Sequence, residues 1–193
     1  GGITGAPITG DDNVLSITQD GDYMDFEGHL VGNNNSLTSF QGGNADNSFM
    51  RVSTVGSNNT GNLRQGKKMD GTVDNNDSGN FEQYITILGD SNNISTSQVN
   101  SGGTSSDHHM AHIITGDSNT LSHLQYADKK KQGFVEITGD DNTVTLEQRN
   151  SANHFADIVL TGDDHIVTSV QRVSTGSHNL ELDLTNAGGE YTV

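Results

Sequence analysis

The chain has 193 residues, a formal net charge of −16, 30% hydrophobic residues, no Trp and no Cys. So little apolar material does not fill the layered core of an α/β enzyme, the acidic balance repels nucleic-acid phosphates, and the lack of Cys excludes a disulfide framework or a thiolate metal site. No apolar run approaches the ~20 residues of a membrane-spanning helix, so no membrane insertion is expected. Low hydrophobicity with high net charge is the composition of disordered chains. What argues for order is fixed-period self-similarity.

The sequence begins Gly1-Gly2 rather than with Met, which reads as a mature form after signal-peptide removal or as a trimmed chain. Residues 1–7 read as a leading strand or linker, because Ile3-Thr4-Gly5 echoes Ile8-Thr9-Gly10. The single Pro, Pro7, precedes the first repeat, so no Pro interrupts strand pairing afterwards. Residues 8–193 read as one repeat domain anchored at Gly10, Gly32, Gly56, Gly89, Gly116, Gly139 and Gly162. Nine residues after each anchor stands a Gln: Gln19, Gln41, Gln65, Gln98, Gln125, Gln148 and Gln171. Three residues after each stand Asn13, Asn35, Asn59, Asn92, Asn119, Asn142 and, last, His165. The anchors are 22, 24, 33, 27, 23 and 23 residues apart, and all the variation falls between a Gln and the next Gly. Longer loop insertions are expected there, around residues 66–83 and 99–112, where solenoids accept them. A last half-repeat places Asn186 at the anchor position, and Tyr191-Thr192-Val193 closes the sequence before a further Gln.

Inside each repeat the period is two. In ITGDDNTVTLEQ (Ile137 to Gln148), Asn142, Val144, Leu146 and Gln148 share one strand face, while Thr143, Thr145 and Glu147 face solvent. The residues four and two before an anchor also share a face: Ile85 and Ile87, Val135 and Ile137, Ile158 and Leu160. Each repeat is therefore strand, turn, strand, turn. The fold expected is all-β: a β-solenoid of about seven and a half two-strand coils, with two facing parallel sheets in cross-β stacking. At ~4.8 Å per coil this is a rod of roughly 35 Å around an interior ~10 Å thick. Ser39, Thr96, His123 and Ser169 fall on inward positions beside the apolar Phe40, Leu124 and Val170, which signals either a local bulge or an apolar outer face there.

This pattern, Asn-x-φ-x-φ-x-Gln, a Gly/Asn turn and a second alternating strand at a period near 22, resembles the curlin repeat. Curlin repeats form the subunits of curli, the functional amyloid fibres of bacterial biofilms. The second-half signature of that family, Gln-x-Gly-x-x-Asn-x-Ala, is approached most nearly by Ser151-Ala152-Asn153-His154-Phe155-Ala156. The resemblance implies that the seven Gln and the seven Asn/His positions form inward ladders along the solenoid. It implies a secreted structural subunit at the bacterial cell surface that partners with itself and with secretion and nucleation factors. The ends expected to join copies carry Ile3 and Ile8 at one side and Tyr191 and Val193 at the other. The alternative from another class is a monomeric β-solenoid adhesin or surface-binding module.

Invariant spacing at inward parity favours an amide ladder over solvent-facing turn residues. Each amide is expected to donate to one neighbouring coil and accept from the other. Stacking also puts Asp117, Asp140 and Asp163 in a column. Turn propensity is the preferred explanation, with Ca²⁺ bridging through oxygen ligands as the alternative; no other cofactor is expected. His108, His109 and His112, with His123, lack a helix to bring them together on a metal, and their segment reads as a solvated loop. Lys129, Lys130 and Lys131 read the same way. With few aromatics for sugar stacking and no catalytic signature, no enzyme activity and no catalytic residues are expected.

Overall fold

The structure, a computed structural model, describes residues 2–4, 7–10, 12–20, 23–32, 34–42, 48–56, 58–66, 80–99, 107–126, 130–149, 153–172, 175–185 and 188–193. Readings that rest on Gly1, Gly5, Lys129, Ser151, Ala152 or Asn186 lie outside the described residues. The strands are β1 (Gly2–Thr4), β2 (Ile8–Thr9), β3 (Val14–Asp20), β4 (Asp25–Val31), β5 (Ser36–Gly42), β6 (Ser48–Val55), β7 (Thr60–Gln65), β8 (Phe81–Leu88), β9 (Asn93–Val99), β10 (His108–Thr115), β11 (Thr120–Tyr126), β12 (Lys131–Thr138), β13 (Thr143–Arg149), β14 (His154–Thr161), β15 (His165–Arg172), β16 (His178–Thr185) and β17 (Gly189–Thr192). No helix among the described residues is long and apolar enough to cross a membrane.

Among the described residues the strands form two sheets, and every pairing is parallel. Sheet A has nine strands in the order β1-β4-β6-β8-β10-β12-β14-β16, with β2 also beside β4. Sheet B has eight, in the order β17-β15-β13-β11-β9-β7-β5-β3. The chain is a β-solenoid. Six turns separate the seven anchor glycines, with partial turns before and after, rather than seven and a half full coils.

Register follows the repeat. Gln125 pairs with Gln148 and Gln148 with Gln171, while Thr138 pairs with Thr161 and Thr161 with Thr185. One slip by a residue would turn every apolar side chain outward. Leu37, Leu63, Ile94, Leu121, Val144 and Leu146 from sheet B meet Val52, Ile85, Ile87, Ile137, Ile158 and Leu160 from sheet A in a single buried cluster. Ser39 pairs with Leu63 and His123 with Leu146 without interruption, so no bulge forms at these positions. Ser39, Thr96, His123 and Ser169 are buried. Their apolar neighbours lie on the outer face, where the Phe40 ring packs so closely over Gly42 that a Cβ there would be 2.1 Å from it.

The two expected insertions are shorter than 66–83 and 99–112. Alternating inward residues start β8 at Phe81 and β10 at His108, and β9 runs to Val99.

The turn explains the anchor glycine. Gly139 has φ +129°, and the residue two further on, Asp141, has φ 55°. This places Gly139 against the preceding coil, where a Cβ would come within 2.4 Å of the Gly116 carbonyl oxygen. Gly139 N–H in turn donates to the Thr161 carbonyl of the next coil at 2.9 Å. Gly139→Ala is therefore expected to cost about 1–3 kcal/mol from backbone strain, with steric overlap added. Gly133→Ala, at a strand position where the nearest atoms are side chains at 3.2 Å, is expected to cost less. Urea unfolding of the two variants checks the difference, and equal losses would contradict the assigned turn.

Candidate functional site

The inward face of sheet B ends each strand on a Gln. Its side chain reaches the beginning of the next sheet A strand, because the chain bends there from one sheet into the other. The amide nitrogen of Gln41 donates to Gln19 Oε1 at 3.0 Å, Gln65 to Gln41 at 3.0 Å, and Gln98 to Gln65 at 3.1 Å. The series continues with Gln125 to Gln98 at 3.0 Å, Gln148 to Gln125 at 2.8 Å and Gln171 to Gln148 at 2.9 Å. The same nitrogens donate across the bend to backbone carbonyls of sheet A: Gln19 to Asp25, Gln41 to Phe49, Gln65 to Glu82, Gln98 to His109, Gln125 to Gln132, Gln148 to Phe155 and Gln171 to Asn179. One amide thus ties coil to coil and sheet to sheet. From Gln41 to Gln148 these side chains are fully buried, where an unpaired amide is costly.

The Asn column works differently from a side-chain ladder. Asn59 Oδ1 accepts the backbone N–H of Asn35 at 3.2 Å; Asn92 Oδ1 accepts that of Asn59 at 2.9 Å, Asn119 Oδ1 that of Asn92 at 2.8 Å, and Asn142 Oδ1 that of Asn119 at 2.7 Å. The Asn side-chain nitrogens of four coils bond within their own turn instead: Asn13 to the Gly10 carbonyl, Asn35 to Gly32, Asn59 to Gly56 and Asn92 to Gly89. A side-chain-to-side-chain bond joins Asn92 to Asn119 at 3.1 Å. The column of amide acceptors stops at Asn142 because His165 has no amide oxygen. Its buried ring nitrogens have no hydrogen-bond partner among the described residues.

A third column lines the turns. The carboxylate of Asp90 accepts the Asp117 N–H at 3.2 Å, that of Asp117 accepts the Asp140 N–H at 2.8 Å, and that of Asp140 accepts the Asp163 N–H at 2.8 Å. The sequence placed Asp117, Asp140 and Asp163 in a column without showing this use of them. Among the described residues no group of three or more His, Asp or Glu stands close enough to hold a metal ion.

The His-rich segment is not a solvated loop, and Lys131 is not part of one. His108, His112 and Lys131 are fully buried, at 0% exposure, because they occupy inward positions of β10 and β12. Lys131 pairs in register with His108 and with His154. His109 points outward and is half-buried, and Lys130 is exposed. His112 Nε2 lies 3.1 Å from His123 Nδ1, which Thr96 Oγ1 also approaches. Burial, and then the positive charge of Lys131, push His108 down to about 3. Burial alone pushes His112 to about 3. His123 falls well below its ordinary value through burial and then through His112 and His108.

Of the end residues, Ile8 and Tyr191 are half-buried and pack on the main core. Tyr191 also donates its hydroxyl to the Gly188 carbonyl at 2.6 Å. Val193 is exposed. Ile3 belongs to β1, its backbone paired with Phe26.

Comparison with protein-family models, with curated proteins and with solved structures gives no match.

Replacing Gln125 by Ala leaves Gln148 one acceptor short, and removes a donor from Gln98 Oε1 and from the Gln132 carbonyl. A loss of about 3 kcal/mol or more is expected in urea unfolding, at ~1–3 kcal/mol for each buried group left unpaired. A loss below about 1 kcal/mol would contradict the column's role.

The histidines give a pH dependence with a definite sign. Their rings protonate near 6.5 when the chain is unfolded and, for His108 and His112, near about 3 when folded. Between those values the unfolded chain binds more protons, so stability is fully present above 6.5 and falls as pH drops towards 3. The slope is up to about 1.4 kcal/mol per pH unit for each ring. His112→Leu is expected to flatten the decline measured by urea unfolding across this range, and an unchanged slope would contradict the burial assigned to it.

Proposed function

We propose that this chain is a structural subunit of a secreted extracellular filament at a bacterial cell surface, built by stacking copies along the solenoid axis. The observation that carries this reading is the self-similarity of the coil-to-coil contact. The same Gln amide bond is made six times in succession, and the backbone beside it is parallel and in register throughout. A contact that one coil makes with the next is the contact that one copy can make with another, which is the heterologous, open arrangement that yields filaments. The likeness of the Gln half-repeat to the curlin repeat supports the same reading.

The terminal rungs support it further. Leu15 and Ile17 at one end, and Leu180, Leu182 and Leu184 at the other, continue the columns whose interior members are fully buried, yet they are only half-buried. β3 and β17 end sheet B, and among the described residues no other strand pairs with their outer edges. Such edges are templates for strand addition. The net charge of −16 opposes the approach of copies, so salt is expected to speed assembly by screening it. Export and nucleation factors are the partners such a fibre calls for.

Electron microscopy of the full chain tests the proposal. Filaments much longer than the roughly 35 Å of a single rod are expected, growing faster in higher salt. Ile17→Lys and Leu182→Lys each place a charge on one end face and are expected to slow elongation at least tenfold while the isolated subunit keeps its strand content by circular dichroism. Uniform short rods at every salt concentration, or unimpaired elongation by both variants, would overturn the reading.

A further inference from the structure

The outer face of sheet A carries a feature that end-to-end stacking does not use. Five consecutive strands, β6, β8, β10, β12 and β14, each present one outward, half-buried ring: Phe49, Tyr84, His109, Phe134 and Phe155. Register puts them in two adjacent columns. Phe49, His109 and Phe155 alternate with Glu82 and Gln132 in one. Tyr84 and Phe134 alternate with Arg51, Ala111 and Asp157 in the other. The rings therefore zigzag along the rod axis. The first three are in contact, with centroids 5.6 Å apart for Phe49 and Tyr84 and 5.5 Å for Tyr84 and His109. The path spans about 19 Å, and rings in the same column recur every ~9.6 Å, two coil steps.

Two open hollows flank this path. One, of about 600 Å³, lies at the Phe49 end, with Asp25, Glu27, Asn80 and Glu82 in its wall. The other, of about 350 Å³, lies between His109, Phe134 and Phe155, with Gln132 beside them. Arg51 holds its guanidinium 5.3 Å from the Phe49 ring centre and 3.7 Å from Glu27, so the rings from Tyr84 to Phe155 are the ones left for a ligand.

We propose that this face binds a neutral, extended polysaccharide lying along the rod axis. Flat rings held against a sheet offer apolar platforms for the faces of sugar rings. The polar groups between them, carboxylates and amides, accept and donate hydrogen bonds to hydroxyls. A ring every second coil matches about two residues of an extended β-linked chain. Anionic glycans are disfavoured by the net charge of −16. A polycation is disfavoured because Glu27 at the Phe49 end is already paired with Arg51, and the wall of the second hollow carries no carboxylate, Asp157 beside Phe134 being the single acidic residue of the two columns from β10 to β14. The platform lies along the side of the rod, so the proposal does not depend on filament assembly.

The test is calorimetric titration of the full chain with cellohexaose and chitohexaose, and with poly-lysine as the charged probe. Binding to at least one hexasaccharide that is insensitive to salt is expected. Tyr84→Leu and Phe134→Leu, which keep apolar contact with the sheet and lose the ring, are expected to weaken it about tenfold or more with unchanged thermal unfolding. The proposal is overturned if neither saccharide binds, if both Leu variants bind as the parent does, or if poly-lysine alone binds and salt abolishes it. It is equally overturned if the ring variants change only the association of the chain with itself, which would make the face a contact between copies.

Discussion

Everything in this structure hangs on the side-chain amide of a buried Gln repeated at one position of each coil. A thin solenoid has little apolar volume, and this chain has only 30% hydrophobic residues to fill it. Hydrophobic burial fixes which face of a strand turns inward, but it opposes a shift by two residues only weakly, because one apolar contact resembles another. The Gln amide supplies direction. One donated bond reaches the preceding coil and another reaches a backbone carbonyl across the bend, as Gln98 does to Gln65 and to His109. A shifted coil would leave both groups buried and unpaired, which costs more than the bonds themselves contribute. The invariant nine-residue spacing from Gly to Gln follows, since a longer or shorter strand would carry the amide out of its column.

The other columns complete the same scheme with different atoms. Asn oxygens take up the backbone N–H groups where the turn enters sheet B, and Asp carboxylates take them up one step earlier in the turn. Backbone donors that a sharp turn would leave unsatisfied are thus claimed by the neighbouring coil. The acidic charge is placed mostly on turns and outer faces, where water and salt screen it. The interior tolerates His112 and His123 because burial holds them well below their ordinary values, a condition that acid reverses.

The repeat made much of this legible. Gly139, Asn142 and Gln148 stand at fixed intervals, and alternation between them assigns the inward face without any knowledge of the partner coil. Parity names a face but not the atoms that meet across it. That is why the Asn column, expected as side chain to side chain, runs chiefly from backbone nitrogen to side-chain oxygen, with one side-chain bond from Asn92 to Asn119. His108 to His112 read as a loop because Asp-His-His-Met-Ala-His has no apolar alternation, and Lys131 because three consecutive lysines normally seek water. His108 to His112 lie in β10 and Lys131 opens β12 because they continue the register of β8 and β14, which is a constraint from neighbouring coils. The aromatic path was hidden for a related reason. Phe49, Tyr84, His109, Phe134 and Phe155 are far apart in sequence, and only the unequal insertions, correctly closed, bring them onto one face.

The central claim is that the buried Gln amides are bonded into one continuous column. Hydrogen exchange of the Gln side-chain NH₂ groups, followed by NMR on the full chain, measures this directly. The amide protons of Gln65, Gln98, Gln125 and Gln148 should exchange as slowly as the backbone N–H groups of the strands that carry them. Exchange at the rate of a free Gln side chain, with the strand backbone still protected, would show that the coils are held together without the column.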